Sequence, residues 1–174
     1  VDDNNNNGIR KTTSKSGVIV EGMNDVAARF SKCCSPVPGD EIVGFVTRGR
    51  GLSIHRTDCT NIINLPDIER GRLIEASWAE DETKQTGKYN SEITIYANNS
   101  IGILVDLSKV FTERKIDVLS INSRTSKSGV ATISMTFQIQ GTDELRELIA
   151  KIRTIDSIID IERTTGWYNK NGRI

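Results

Sequence analysis

Histidine is nearly missing from this chain, with a single copy in 174 residues, and only three cysteines accompany it. Net charge is missing altogether: 23 Lys and Arg balance 23 Asp and Glu, so the whole chain gives no electrostatic pointer to a partner. No apolar run approaches the roughly 20 residues that a membrane helix needs, which excludes a spanning segment of that kind. The opening "VDDNNNNGIRKTTSKSG" lacks the charged-then-apolar order of a signal peptide. It is polar, Asn-rich and without periodicity, and residues 1–17 read as a disordered linker. An odd cysteine count with no sign of secretion argues against a disulfide framework and for a reducing cytoplasm. The first residue, Val, points to a piece of a longer protein. No glycine-rich phosphate loop of Walker type occurs.

What is present divides into two lobes. From Arg29 to Arg56 the local net charge is +3, and from Leu65 to Glu92 it is −3. The run "AEDETKQTGKYN" holds no apolar cluster, so the boundary is placed at a linker over residues 83–88. The expected domains are 18–82 and 89–165, followed by a tail over 166–174.

The second lobe is the more regular. "EITIYA" alternates with Ile93, Ile95 and Ala97 on one face, as a half-buried strand does. "NNSIGILVDLSKVFTERK" predicts a helix capped by Ser100, with an apolar stripe of Ile101, Leu104, Leu107, Val110 and Phe111. Two strands follow, "IDVLSINSR" and "VATISMTFQIQ", joined by the turn "TSKSG" at Gly129. "TDELRELIAKIR" predicts a helix capped by Thr142, and "SIIDIER" a last strand. The order β-α-β-β-α-β is the split βαβ arrangement of ferredoxin-like folds, a four-stranded antiparallel sheet covered on one face by two helices.

The first lobe predicts a strand at "GVIVEG", a short helix at "NDVAARF" capped by Asn24, and strands "EIVGFVTRG" and "GLSIHR" joined by the turn "RGRG". A short helix at "DCTNIINL" with Asp58 at its start and a strand at "RLIEASW" complete it. The fold class is therefore α+β, a small cysteine-rich unit before a ferredoxin-like one. At roughly 60 residues the first unit buries little surface, and a metal or cross-link would help it.

That need gives meaning to one concentration of residues. Cys33, Cys34 and Cys59 and the single His55 all fall within "CCSPVPGDEIVGFVTRGRGLSIHRTDC". Cys sulfur and His nitrogen are the ligands zinc prefers, and four would close a tetrahedral structural site. His-x-x-x-Cys has zinc-finger spacing, whereas adjacent cysteines converge only where the backbone turns, as Pro36, Pro38 and Gly39 allow. Three other readings stay open on spacing alone. The thiols can be buried small apolar groups beside a satisfied histidine. One can be a nucleophile, although no orienting carboxylate or oxyanion loop is evident. The neighbouring pair can be redox-active, although it lacks the two-residue gap of Cys-x-x-Cys.

The same string, with "VIVEG", "VAARFSKCC" and "RLIEASW" around it, closely resembles the zinc-finger, or conserved-cysteine, domain of long RelA/SpoT-type stringent-response enzymes, which make and degrade guanosine tetra- and pentaphosphate. The second lobe falls where those proteins carry an ACT domain. The resemblance covers residues 18 to 165 and implies that Cys33, Cys34, His55 and Cys59 hold a structural zinc. It implies a non-catalytic regulatory module: the family's hydrolase half needs a histidine-aspartate metal centre, and nothing here is similar to the synthetase's nucleotide-binding segment. The full-length protein would be a GTP pyrophosphokinase that also hydrolyses its product. By the same resemblance, the module docks on the ribosome, its RNA and uncharged tRNA, and relays that state to the N-terminal catalytic domains.

Residues supply a footing for each expectation. Arg48 and Arg50 flank Gly49 at a hairpin tip from which long cations reach phosphates, and Lys32 and Arg56 extend the patch. The alternative is a solvated tip. Base stacking on the second sheet is rejected, because Thr132, Ser134 and Thr136 face outward where an RNA-recognition motif would carry rings. ACT domains bind amino acids at the first strand-to-helix turn, here Asn98, Asn99, Ser100, Ile101 and Gly102, which makes a branched-chain amino acid sensor the alternative function; a capped helix start is the plainer reading of that turn. An uncovered sheet edge there leads to an expected homodimer through the ACT domain.

Overall fold

The computed structural model describes residues 17–22, 27–80, 87–99 and 101–164. In the first lobe, strands β1 (Val18–Val20), β2 (Ala28–Phe30), β3 (Ile42–Val46), β4 (Leu52–Arg56) and β5 (Leu73–Trp78) form one sheet in the order β1-β5-β3-β4-β2. All neighbours run antiparallel except β2, which lies parallel to β4. Two short helices, α1 (Thr60–Ile63) and α2 (Asp67–Arg70), sit between β4 and β5.

The alternation of β4 explains what this sheet does. Leu52 and Ile54 face one cluster with Val18, Val20, Ile42 and Ala76. Ser53 and His55 face the opposite way, and all five residues of β4 are buried. A second cluster, Cys34, Phe45, Cys59, Ile62 and Leu65, packs beside the cysteines. Sheet and short helices thus enclose a small polar site between two apolar layers.

The second lobe follows the expected order: β6 (Tyr89–Asn98), α3 (Ile103–Glu113), β7 (Val118–Thr125), β8 (Val130–Ile139), α4 (Thr142–Ile152) and β9 (Ile158–Arg163). The sheet is antiparallel in the order β7-β8-β6-β9. Ala131, Ile133, Met135, Phe137 and Ile139 are buried, and the intervening residues of β8 are half-buried on the open face. Leu107, Phe111, Leu148 and Ile152 close the core from the helix side, with Phe111 edge-on to Phe137 at 5.3 Å.

Four local expectations need correction. Thr142, expected to cap α4, is instead its first residue, after Gly141, which has no side chain to cap with. Ala28–Phe30, assigned to a helix, form strand β2. Pairing with β4 overrides the helical pattern there, and the expected cap, Asn24, lies outside the described residues. Helix α1 starts at Thr60 after an uncapped Cys59, not at Asp58, whose carboxylate accepts from Arg56. Helix α3 begins at Ile103, later than expected: Gly102 holds φ +87, and the left-handed turn swings Ile101 wholly into solvent. Leu104 is exposed as well, and Ile103 takes the buried place assigned to Ile101. The other expected cap, Ser100, lies outside the described residues.

The lobes touch through residues 33–40, an aromatic cluster and Arg56. Val37 belongs to the first lobe by sequence yet is fully buried in the core cluster of the second. Phe30 stacks on Trp78 at 5.4 Å, and Tyr89, which opens β6, meets both rings edge-on at 5.7 Å. The indole N–H of Trp78 donates to the carbonyl of Asp40 at 2.9 Å.

Candidate metal centre and the surface around it

Four side chains from three places converge. Cys33 and Cys34 come from the turn after β2, His55 from β4, and Cys59 from the start of α1. One ligand atom of each lies within 4.8 Å of all the others. Cys33 Sγ is 3.4 Å from His55 Nδ1, 3.5 Å from Cys59 Sγ and 4.0 Å from Cys34 Sγ, and Cys34 Sγ is 3.8 Å from Nδ1. These separations far exceed the roughly 2 Å of a disulfide, and all three cysteines are free. The backbone turn required of the adjacent pair is present: Ser35 holds φ +45, and its N–H donates to the carbonyl of Ser31 at 2.9 Å.

Neighbouring groups orient these side chains. Ser53 Oγ lies 3.0 Å from His55 Nε2 and 3.5 Å from the carbonyl of Phe45. With Ser53 donating to that carbonyl, the ring N–H is held at Nε2 and the Nδ1 lone pair is left facing the sulfurs. Ser31 Oγ is 2.9 Å from Cys33 Sγ, and the Arg56 backbone N–H donates to Cys34 Sγ at 3.3 Å. Hydrogen bonds from Cys34 and then Cys59 drive the Cys33 thiol far down; His55 and Ser31 assist. The Cys34 thiol is pushed up by its bond to Cys33, then by Cys59 and by burial. Cys59 is likewise raised, first through Cys33. Three sulfurs and an imidazole nitrogen facing one another are the donor set of a soft cation site. These residues could hold a metal ion.

Sequence spacing singled out all four members of the cluster but not Ser53 and Ser31 beside it. Ser53 had a signal, since two residues before His55 on a strand means the same face.

The basic patch is smaller than expected. Lys32, Arg48 and Arg50 are exposed, and Arg48 pairs with Glu69 at 3.2 Å. Arg56 is not part of that surface: it is 5% exposed. Its guanidinium donates to the carbonyls of Cys34 (3.4 Å) and Thr164 (3.1 Å) and to Asp58 (2.5 Å). A cation so enclosed cannot reach a phosphate, so its place among the RNA contacts is withdrawn. At the other expected site, Asn98 and Asn99 are exposed and their backbone N–H groups donate to Ser157 and Gly129. Gly102 borders open space.

A unit holding a four-residue Cys/His cluster, followed by a ferredoxin-like βαββαβ domain, defines a two-part α+β module. Residues 18–79 match the family described as the RelA/SpoT RIS domain, and residues 85–163 match the ACT domain family. The chain is 35% identical over 150 residues to a GTP pyrophosphokinase of Escherichia coli (strain K12), covering 86% of this chain and 20% of that protein. A GTP pyrophosphokinase of Streptomyces coelicolor is 35% identical over 156 residues, covering 90% of this chain and 18% of that protein. The chain belongs to the RelA/SpoT family as a RIS–ACT tandem corresponding to the C-terminal region of these proteins, and it spans about a fifth of their length. A crystal structure of the ACT domain from the GTP pyrophosphokinase of Chlorobium tepidum aligns with 44% of this chain and 99% of its own, at 21% identity and a TM-score of 0.40. Among the described residues no helix is long and apolar enough to cross a membrane.

Proposed function

We propose that this tandem is the non-catalytic regulatory module of a stringent-response enzyme, that zinc organises its first lobe, and that the lobe docks on ribosomes carrying uncharged tRNA. The observation that carries the reading is the convergence of four ligand atoms beside a hairpin whose arginines face solvent. A tetrahedral zinc with bonds of about 2.3 Å to sulfur and 2.0–2.1 Å to nitrogen has S···S edges of about 3.8 Å and S···N edges of about 3.6 Å. Four of the six separations, 3.4 to 4.0 Å, are close to those edges, and all six lie within 4.8 Å. Cys33, Cys34, His55 and Cys59 would hold the ion, which supplies folding energy and no reaction.

Docking on ribosomal RNA or tRNA would use Lys32, Arg48 and Arg50, backbone contacts that position without reading sequence. The module would then govern catalytic domains of the full-length protein that transfer pyrophosphate from ATP to GTP or GDP and hydrolyse the product, in the cytoplasm. Co-sedimentation with ribosomes carrying uncharged tRNA, measured across a salt series, tests this. Arg48→Ala with Arg50→Ala should weaken binding and lower the salt slope by about one unit per lost phosphate contact. Salt-independent binding, or an unchanged slope in the variant, refutes it. Metal analysis should find one zinc per chain, lost in a Cys34→Ser, Cys59→Ser double variant.

A second reading has its own support. Every residue of edge strand β7 is exposed, including Val118, Leu119 and Ile121, an apolar edge that a second copy would cover. The ACT dimer so formed would present the Asn98–Gly102 turn to a branched-chain amino acid. Sedimentation of a monomer, or calorimetry without heat on adding valine or isoleucine, removes the corresponding part.

A further inference from the structure

Residues 33–40 have two jobs at once. One end supplies two of the four ligands, and the other end grips the second lobe. Val37 is buried in that lobe's core, and the carbonyl of Pro38 accepts from the N–H of Thr142 at 2.9 Å. This satisfies one of the N–H groups that the first turn of α4 leaves without an internal partner. The Asp40 carboxylate receives both guanidinium nitrogens of Arg163 on β9, at 2.6 and 2.7 Å, with the side chains 9% and 15% exposed. A bidentate, nearly buried pair of this kind is strong and geometrically exacting.

Ligand end and gripping end are joined by few bonds. Ser35 lies between them with φ +45, a conformation that persists only where its surroundings over-determine it. Arg163 holds its carbonyl at 3.2 Å, and Arg56 ties the carbonyl of Cys34 to that of Thr164 beyond β9. With an ion in place, Cys33 and Cys34 are anchored to β4 and α1 through His55 and Cys59. Without one, the ligand end keeps the thiol contacts, the Ser35 N–H bond to Ser31, the packing of Cys34 and the Arg56 bonds.

We propose that residues 33–40 form a metal-set clasp: the bound ion holds the segment in the shape that fits the second lobe, and its removal loosens the grip of that segment on the second lobe. The ACT domain, which contributes no ligand, thereby becomes sensitive to the metal. This rests on the metal reading above.

Hydrogen–deuterium exchange of the zinc-loaded chain, before and after a chelator, tests the clasp. Peptides spanning the start of α4 and the end of β9 should exchange about tenfold faster after chelation, because local opening sets their rate, while the centre of β8 stays protected. Asp40→Asn, which touches no ligand atom, should keep one zinc per chain yet show the faster exchange already in the loaded state. Stoichiometric zinc with no change in second-lobe exchange on chelation overturns the clasp alone. So does Asp40→Asn exchanging as the unaltered protein does. A chain that binds no zinc overturns the metal reading and the clasp together.

Discussion

Val37→Ala should destabilise the lobe to which Val37 does not belong by sequence. Its side chain is 0% exposed and packs within the cluster containing Ile93, Phe137 and Leu148. Truncation removes two methylene equivalents, about 1.6 kcal/mol of transfer free energy, and leaves a cavity that adds to the loss. Pro36 and Pro38 flank the residue and fix φ on both sides, so the backbone has little freedom to fill the gap. The expected cost is about 2–3 kcal/mol, which for a chain of this size lowers the melting temperature by about 5–10 °C. Calorimetric melting of the zinc-loaded protein measures it, with Val105→Ala, on an exposed side of α3, as a control expected within about 0.5 kcal/mol of no change. A shift below about 1 °C for Val37→Ala would refute the claim that this residue is part of the second core.

Other outcomes follow from neighbouring geometry. Gly39→Ala meets φ +101 and drives a Cβ into Thr142 Oγ1; a loss above about 2 kcal/mol is expected, and a double-mutant cycle with Thr142→Ala should recover part of it. Arg56→Ala leaves the carbonyls of Cys34 and Thr164 without a donor and should cost about 2–4 kcal/mol in denaturant melts, whereas Arg50→Ala should stay within about 0.5. Equal costs for the two arginines would contradict the burial argument. Ser53→Ala should weaken zinc binding roughly tenfold to a hundredfold in chelator competition with the far-ultraviolet spectrum unchanged, and an affinity within about twofold would remove its orienting role. Acid should release the ion, because thiolates and a neutral imidazole are the binding forms and protons compete for them; titration with a zinc indicator reads this, and release that ignores pH would count against thiolate ligation.

The β8 segment shows how far sequence carries. Its unbroken alternation fixes which five side chains turn inward, because successive side chains on a strand must point to opposite faces. The same local logic foresaw the hairpin at Gly129 (φ +82) and the βαββαβ order. It failed at Ala28–Phe30, where a helical pattern lost to parallel pairing with β4, and at Ile101, where one left-handed glycine moved the helix start. It failed again at Arg56, whose basic side chain says nothing of the carbonyls that surround it.

The amino-acid string by itself showed the gathering of cysteines and histidine around one hairpin and the alternating faces of the second sheet, since these depend on neighbours a few residues apart. Only tertiary structure decided that four ligand atoms meet, that Ser53 steers His55, and that Asp40 seizes Arg163 from 123 positions away. Contacts of that range leave no period in a sequence, because they arise from the packing of one finished surface on another.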